Sequence, residues 1–241
     1  MNTHTHPDYD LHMPKIFAYP FQVGIGTILL TIFVFILLQK HPVIAGVLGG
    51  ISLLAGIAYV TLVVIVKRFT NLERRLKGRD RFLAGLPLQG HEMILDVGCG
   101  NGILLLEAAK RLTTGQGIGI DVWTEGSGEN RPEKFQENAE IEGVADRVSL
   151  QNEDMRRLPY DDASFDLIMS GLTMHHLSSG ADYKKALGEM ARVLKPGGRL
   201  AIYDEPFTVF FCARLLRKEG LDVEKKEKDM VFGRKRDPRH E

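Results

Sequence analysis

Cysteine is nearly missing from this chain: Cys99 and Cys212 are the two in 241 residues, which excludes a disulfide framework and fits a reducing compartment. A surplus of positive charge is missing too. With 31 basic and 31 acidic side chains the formal charge is zero, so a nucleic-acid partner is not expected. Disorder is excluded by 44% hydrophobic against 26% charged residues, enough apolar material for a core and a length for one or two domains. No internal repeat or low-complexity tract occurs. The most telling absence is local. Between Ile16 and Val66 Lys40 is the single formal charge, whereas residues 67–241 hold 29 of the 31 basic and 29 of the 31 acidic groups.

Residues 16–38 give 23 positions without a charge and 43–66 another 24, each above the roughly 20 that span a bilayer. The connection Gln39-Lys40-His41-Pro42 is short and polar, and its proline opposes one continuous helix. The expectation is a transmembrane helical hairpin with both ends on one side. After it, Lys67, Arg68, Arg74, Arg75, Lys77, Arg79 and Arg81 face Glu73 and Asp80, a basic excess that places both termini and the following domain in the cytoplasm, at the cell membrane. A signal peptide is opposed by Asp8, Asp10 and the length of the first run. Gly46, Gly49, Gly50 and Gly56 give small-residue faces for packing within the hairpin or on another copy as a homo-oligomer. Neither span holds an acid or base, so the hairpin reads as an anchor rather than a transport path. Residues 1–15 read as a polar tail. Residues 67–90 read as a basic linker helix, either lying on anionic headgroups or solvated, with Phe69, Leu72, Leu76, Phe82 and Leu83 on one side.

From residue 91 onward short apolar runs alternate with helical patterns: strands at 93–97, 117–120, 148–151, 165–170 and 199–203, helices at 103–112, 132–142 and 181–194. This is the pattern of an α/β, Rossmann-like doubly wound sheet that binds ligands at the carboxyl ends of its strands. Residues 209–219 read as a further helix, and 221–226 with 230–234 as an antiparallel pair closing the sheet.

Three strand tips carry the chemistry. Leu95-Asp96-Val97-Gly98-Cys99-Gly100-Asn101-Gly102 ends the first strand, and its glycines allow a tight turn that a ligand approaches closely. A dinucleotide fingerprint wants a glycine where Ile103 stands, which disfavours a nicotinamide oxidoreductase. Asp121 ends the second strand, where an acid accepts the two hydroxyls of a ribose, and Asp154 follows the third. Singly, Asp121 is equally a helix cap and Asp154 a loop residue.

With these motifs the sequence resembles class I S-adenosylmethionine-dependent methyltransferases of the small-molecule type, over about residues 90–234. The resemblance rests on LDVGCGNG at 95–102, GID at 119–121, NEDMRRLPYDDASFDLIMS at 152–170 and LKPGGRLAI at 194–202. It implies a seven-stranded sheet with the last strand antiparallel and S-adenosylmethionine as cofactor. It further implies that Asp96, Gly98, Gly100 and Gly102 hold the methionine portion, Asp121 the ribose, and Val122 and Trp123 the adenine faces. Asp154 with Met155 would contact the adenine edge, and Ser170, Gly171 and Leu172 would lie near the methyl group. Two departures stand out: residues 123–132 lengthen the loop after the second strand, and Glu205 and Pro206 alone separate the fifth strand from the next helix, leaving little lid.

Methyl transfer to oxygen or nitrogen needs a base beside the methyl group. His175 and His176 follow the fourth strand and are the catalytic candidates, with helix capping or packing as the bland alternative. Asp204 and Glu205 are further candidates, or loop ligands of backbone amides. His4, His6 and His12 lack metal-site spacing, and no metal is expected; Cys99 fills space in the turn. The function expected is methyl transfer to a small-molecule or lipid acceptor at the cytoplasmic membrane face. The alternatives are a soluble metabolite, a membrane protein, or a non-catalytic cofactor-binding sensor.

Overall fold

The computed structural model describes residues 6–9, 20–37, 40–70, 72–123, 132–237 and 239. The chain divides into two compact units, one joining residues 6–9 to everything from Leu76 onward, the other formed by the segment between them.

In the intervening unit α1 (Pro20–Leu37) and α2 (Pro42–Thr70) pack on each other, with the break at Pro42, a residue suited to a first helical turn. The Thr31 and Ser52 hydroxyls are hydrogen-bonded across the pair, and a Cβ on Gly49 would touch the Thr31 methyl at 3.9 Å. Beside Gly46, Gly50 and Gly56 nothing lies within 4 Å, so of the four glycines Gly49 is the one at the helix contact. Leu29, Phe33, Leu53 and Leu54 are all exposed. Among the described residues Pro42–Ile65 is long and apolar enough to cross a bilayer, while the apolar stretch Ile25–Leu37 is shorter. The start expected at Ile16 lies outside the described residues.

The linker expected over 67–90 is divided. Its first residues complete α2, whereas α3 (Leu72–Ala84) belongs from Leu76 onward to the large unit. Phe82 and Leu83 are fully buried, the Phe82 ring lying 6.2 Å from Tyr203 and 5.7 Å from Phe232. Gly78 lets α3 approach so closely that a Cβ there would meet the Tyr203 ring. Of the arginines counted as a topology signal, Arg79 pairs with Asp80 and Glu107, and Arg81 with Asp229. Phe82→Ala should therefore destabilise the large unit by about 3–5 kcal/mol, read by chemical denaturation. A solvated linker would give almost no change.

The large unit is the expected doubly wound sheet. Its strands are β1 (Met93–Val97), β2 (Gln116–Asp121), β3 (Val148–Asn152), β4 (Phe165–Gly171), β5 (Leu194–Tyr203), β6 (Leu221–Lys226) and β7 (Met230–Lys235). They lie in the order β3-β2-β1-β4-β5-β7-β6, with β7 alone antiparallel to its neighbours. Helices α4 (Leu105–Ala109), α5 (Pro132–Ile141), α6 (Gly180–Val193) and α7 (Pro206–Leu216) cover it. β1 and β4 are nearly continuous apolar runs because covered parallel strands bury both faces. The strand order reverses between β1 and β4, the crevice where such sheets take ligands.

Candidate functional site

The site grows from the β1 tip. Gly98, Gly100 and Gly102 have φ of 75°, 51° and 88°, in the left-handed region that favours glycine. A Cβ on Gly98 would collide with Thr173, whose hydroxyl donates to the Gly98 carbonyl at 3.0 Å and ties the β1 and β4 tips together. The turn is pinned by the Gly98 and Cys99 amides on the Ile120 carbonyl, at 2.8 and 3.0 Å.

Two buried acids in this unit behave oppositely. Glu92, just before β1 at the far end of the sheet, accepts from the Gln89 and Gly90 amides and lies near Arg199. Burial works against its charge, yet these donors hold its carboxyl below the usual range. Asp96 is 1% exposed, and neither of its oxygens makes a regular hydrogen bond. Burial first, then the Asp121 charge, push its carboxyl up to about 8, with the Leu105 amide offsetting this in part. An acid buried without a regular hydrogen bond at such a strand tip is unexplained by the fold and fits a cationic group of a ligand.

Asp121 at the β2 tip is oriented by two amides, Gly100 N–H at 2.8 Å and Val122 N–H at 2.7 Å. Each oxygen keeps a lone pair for a hydroxyl donor. Val122 is half exposed beside it, and the Trp123 amide reaches the Asn152 side chain at 3.3 Å, while its indole N–H is buried without a partner. The lengthened loop that follows, 124–131, lies outside the described residues. Asp154 is brought to the same edge, but its carboxylate is held by Arg156 through Nε at 3.0 Å and Nη2 at 2.6 Å. That pairing keeps Asp154 below the usual carboxylate range. Met155 packs against the hydrophobic core.

At the β4 tip Ser170 is 1% exposed, and its hydroxyl is spent on the Val97 carbonyl at 2.9 Å. It braces the β1–β4 seam rather than presenting a free hydroxyl. Leu172 adopts φ 54°, a strained conformation of the kind that gathers at functional sites. Beyond it His175 and His176 sit in one helical turn, their rings 4.1 Å apart. His175 Nδ1 lies 2.8 Å from Asp204 Oδ1, and Asp204, fully buried at the β5 tip, also accepts from the amides of His175 at 3.3 Å and Glu205 at 2.7 Å. The bond to Asp204 raises the His175 pKa; burial, then the His175 charge, lower that of His176. The two neighbouring imidazoles are thus pushed in opposite directions by their surroundings.

Asp204, a further candidate from the sequence, is the acid that the fold brings to His175. Its signal was present: an acid ending β5 stands opposite the residues ending β4 once the strands pair in register. Asn138, Thr173 and Arg156 were missed outright. Helix α7 starts directly after Glu205, as expected, with Phe207 80% exposed and Phe210 56% exposed and no roof from its own chain segment. A hollow of about 490 Å³ is lined by Glu153, Arg157, Leu158 and Tyr160, in the segment that follows β3. Among the described residues no cluster of metal-ligating side chains occurs; His4 and His12 lie outside them.

Residues 95–202 match the family described as "Methyltransferase domain". The chain is 38% identical over 128 residues to the 27-O-demethylrifamycin SV methyltransferase of Amycolatopsis mediterranei, covering 52% of this chain and 43% of that protein. It is 33% identical over 137 residues to a demethylmenaquinone methyltransferase of Symbiobacterium thermophilum, covering 56% and 51%. The chain thus spans about half the length of the curated relatives it matches. A crystal structure of a SAM-dependent methyltransferase from Aquifex aeolicus shares the fold, with a TM-score of 0.56, 24% identity, and coverage of 71% of this chain and 96% of that one. Residues 95–202 thus match a methyltransferase domain, and the strand order and the strand tips agree with that match.

Proposed function

We propose that the chain transfers a methyl group from S-adenosylmethionine to a small or lipid-like acceptor that gives up a proton, with His175 as the base. The carrying observation is the His175–Asp204 pair at the strand tips beside the glycine turn. The cofactor supplies an activated methyl group on a sulfonium with its own leaving group. The unpartnered Asp96 suits the amino group of its methionine portion, beside Gly98, Gly100 and Gly102. Asp121, already oriented, takes the ribose hydroxyls, and Val122, Trp123 and Met155 border the adenine. Asp154 reaches the adenine edge only by sharing its carboxylate with Arg156, and Ser170 acts through the seam it braces.

His175 directs one ring nitrogen to Asp204, which fixes tautomer and orientation and leaves the other nitrogen to take the acceptor's proton. The acid–base order is that of a buried carboxylate, an imidazole and a substrate O–H or N–H. His176, lowered in pKa, stays neutral beside it and keeps a second positive charge away.

The same reading makes α1 and α2 a two-span anchor in the cell membrane with the domain at the cytoplasmic face. Its support is the exposed apolar surface of both helices and the basic residues that follow. An anchored enzyme with no insertion between β5 and α7, and with Phe207 and Phe210 exposed next to the β5 tip, is suited to acceptors drawn from the bilayer. The open space along Gly46, Gly50 and Gly56 suits a second copy's helix.

Radiolabelled methyl transfer from S-adenosylmethionine into native membranes, followed by separation of lipid, protein and aqueous fractions, tests this reading. Label is expected in the lipid fraction. Label confined to the aqueous or protein fraction would replace the acceptor class, and cofactor binding with no transfer to any fraction would favour the sensor.

A further inference from the structure

Residues 6–9, read from sequence as part of a polar tail, are packed on the methyltransferase domain. Tyr9 is 4% exposed, and its hydroxyl donates to Glu142 at 2.9 Å, just past the end of α5. Asp8 pairs with Lys134 on the first turns of the same helix, at 3.2 Å. Between them stands Asn138, 1% exposed. Its Oδ1 accepts from the Asp8 amide at 2.8 Å, and its Nδ2 donates to the Asp8 carbonyl at 3.0 Å and to the Asn101 carbonyl at 3.0 Å.

Asn101 lies inside the glycine turn. The peptide between Asn101 and Gly102 is therefore held at both ends, its carbonyl by Asn138 and its N–H by the Cys99 carbonyl at 2.9 Å. The side chain of Phe135, one turn before Asn138 on α5, lies 3.0 Å from where a Cβ on Gly102 would be, with Leu106 at 2.8 Å. One buried amide thus spends three hydrogen bonds joining an amino-terminal segment to the loop that shapes the cofactor cleft. Buried amides with every group paired fix one arrangement of their partners, because each lost bond leaves a costly orphan.

We infer that Asn138 is a positioning residue that couples the amino-terminal strap to the glycine turn, so that the docked strap holds the turn in its cofactor-binding shape. The inference rests on the reading of residues 98–102 as the cofactor turn. Coupling of this kind is reciprocal: a strap that favours the bound turn is itself held more firmly when cofactor binds.

The test uses the full chain in detergent micelles. S-adenosylmethionine is titrated calorimetrically, and hydrogen exchange is followed in segments 6–9 and 98–102. Asn138→Ala should weaken binding about tenfold, as should Asp8→Pro, which removes the strap's amide donor without touching the domain interior. Arg199→Ala, at the opposite end of the sheet on Glu92 and the Pro87 carbonyl, should lower the melting temperature and leave binding unchanged, separating positioning from general stability. Cofactor should slow exchange in residues 6–9 of the parent and not of Asn138→Ala. Parental affinity in both strap variants would overturn the coupling and leave the cofactor reading standing. A parent chain that binds no S-adenosylmethionine would remove the cofactor reading, and the inference with it.

Discussion

Asp96→Asn will weaken S-adenosylmethionine binding about a hundredfold while leaving the ligand-free domain at least as stable as the parent at pH 8. The two halves of this result have one cause. Asp96 is a buried acid without a regular donor, its carboxyl pushed up to about 8 by burial and by the Asp121 charge. A cation arriving there supplies the missing partner, so ionisation becomes favourable on binding. The amide keeps the shape and lacks the charge. Without ligand the sign reverses. Between about pH 4 and 8 the folded chain retains a proton that the unfolded chain has lost, so this group's contribution is full below pH 4 and disappears as pH rises through about 8. Thermal melts of parent and variant should differ in their slope over that window, the parent falling more steeply. Equal affinity for the cofactor in both proteins would remove Asp96 from the site.

His175→Ala should lower methyl transfer about a thousandfold with cofactor affinity unchanged, the range expected when a general base is removed. Asp204→Asn makes a finer test. His175 must be neutral to accept a proton, and Asp204 holds its pKa above the ordinary histidine value, so the acid limb of the pH–rate profile lies above that value too. Removing the carboxylate charge should move that limb to lower pH and reduce the maximum rate. Removing His176 should have a small effect, since Asp204 bonds to its neighbour. If His175→Ala turns over normally, proton removal is not this pair's task.

Much of this was legible in the sequence. Strand tips announce themselves because the chain must turn there, and the spacing of Asp96, Asp121 and Asp154 along alternating elements placed all three at one end of the sheet. The antiparallel last strand followed from a short turn between two runs, 221–226 and 230–234. What stayed hidden depends on lateral pairing. Nothing local joins His175 to Asp204, 29 residues on; the register of β4 against β5 does. Asn138 looks like an ordinary polar helix residue until the burial of Phe135 and Ala139 beside it shows which way it faces. The arginines of 74–81 masked a core helix: the apolar side with Phe82 and Leu83 was legible, but not that it is buried in the domain rather than facing headgroups or solvent. The pairing of Asp154 with Arg156 was not legible, because a salt bridge between residues two apart depends on how the turn folds.

The docking of residues 6–9 also sets an order of assembly. Asp8 meets Asn138 across 130 residues of chain, so a segment synthesised well before its partner is among the last to find its place. Loops of that length close slowly, and contacts between distant positions form late in folding. By then α1, α2 and the first two strands of the sheet have left the ribosome. The strap and α3 lie on either side of α1 and α2 in the chain, yet both pack into one domain, so that domain reaches its final packing only after the helical pair between them has been made. In kinetic terms, the contact works as a late checkpoint on the topology of everything between them.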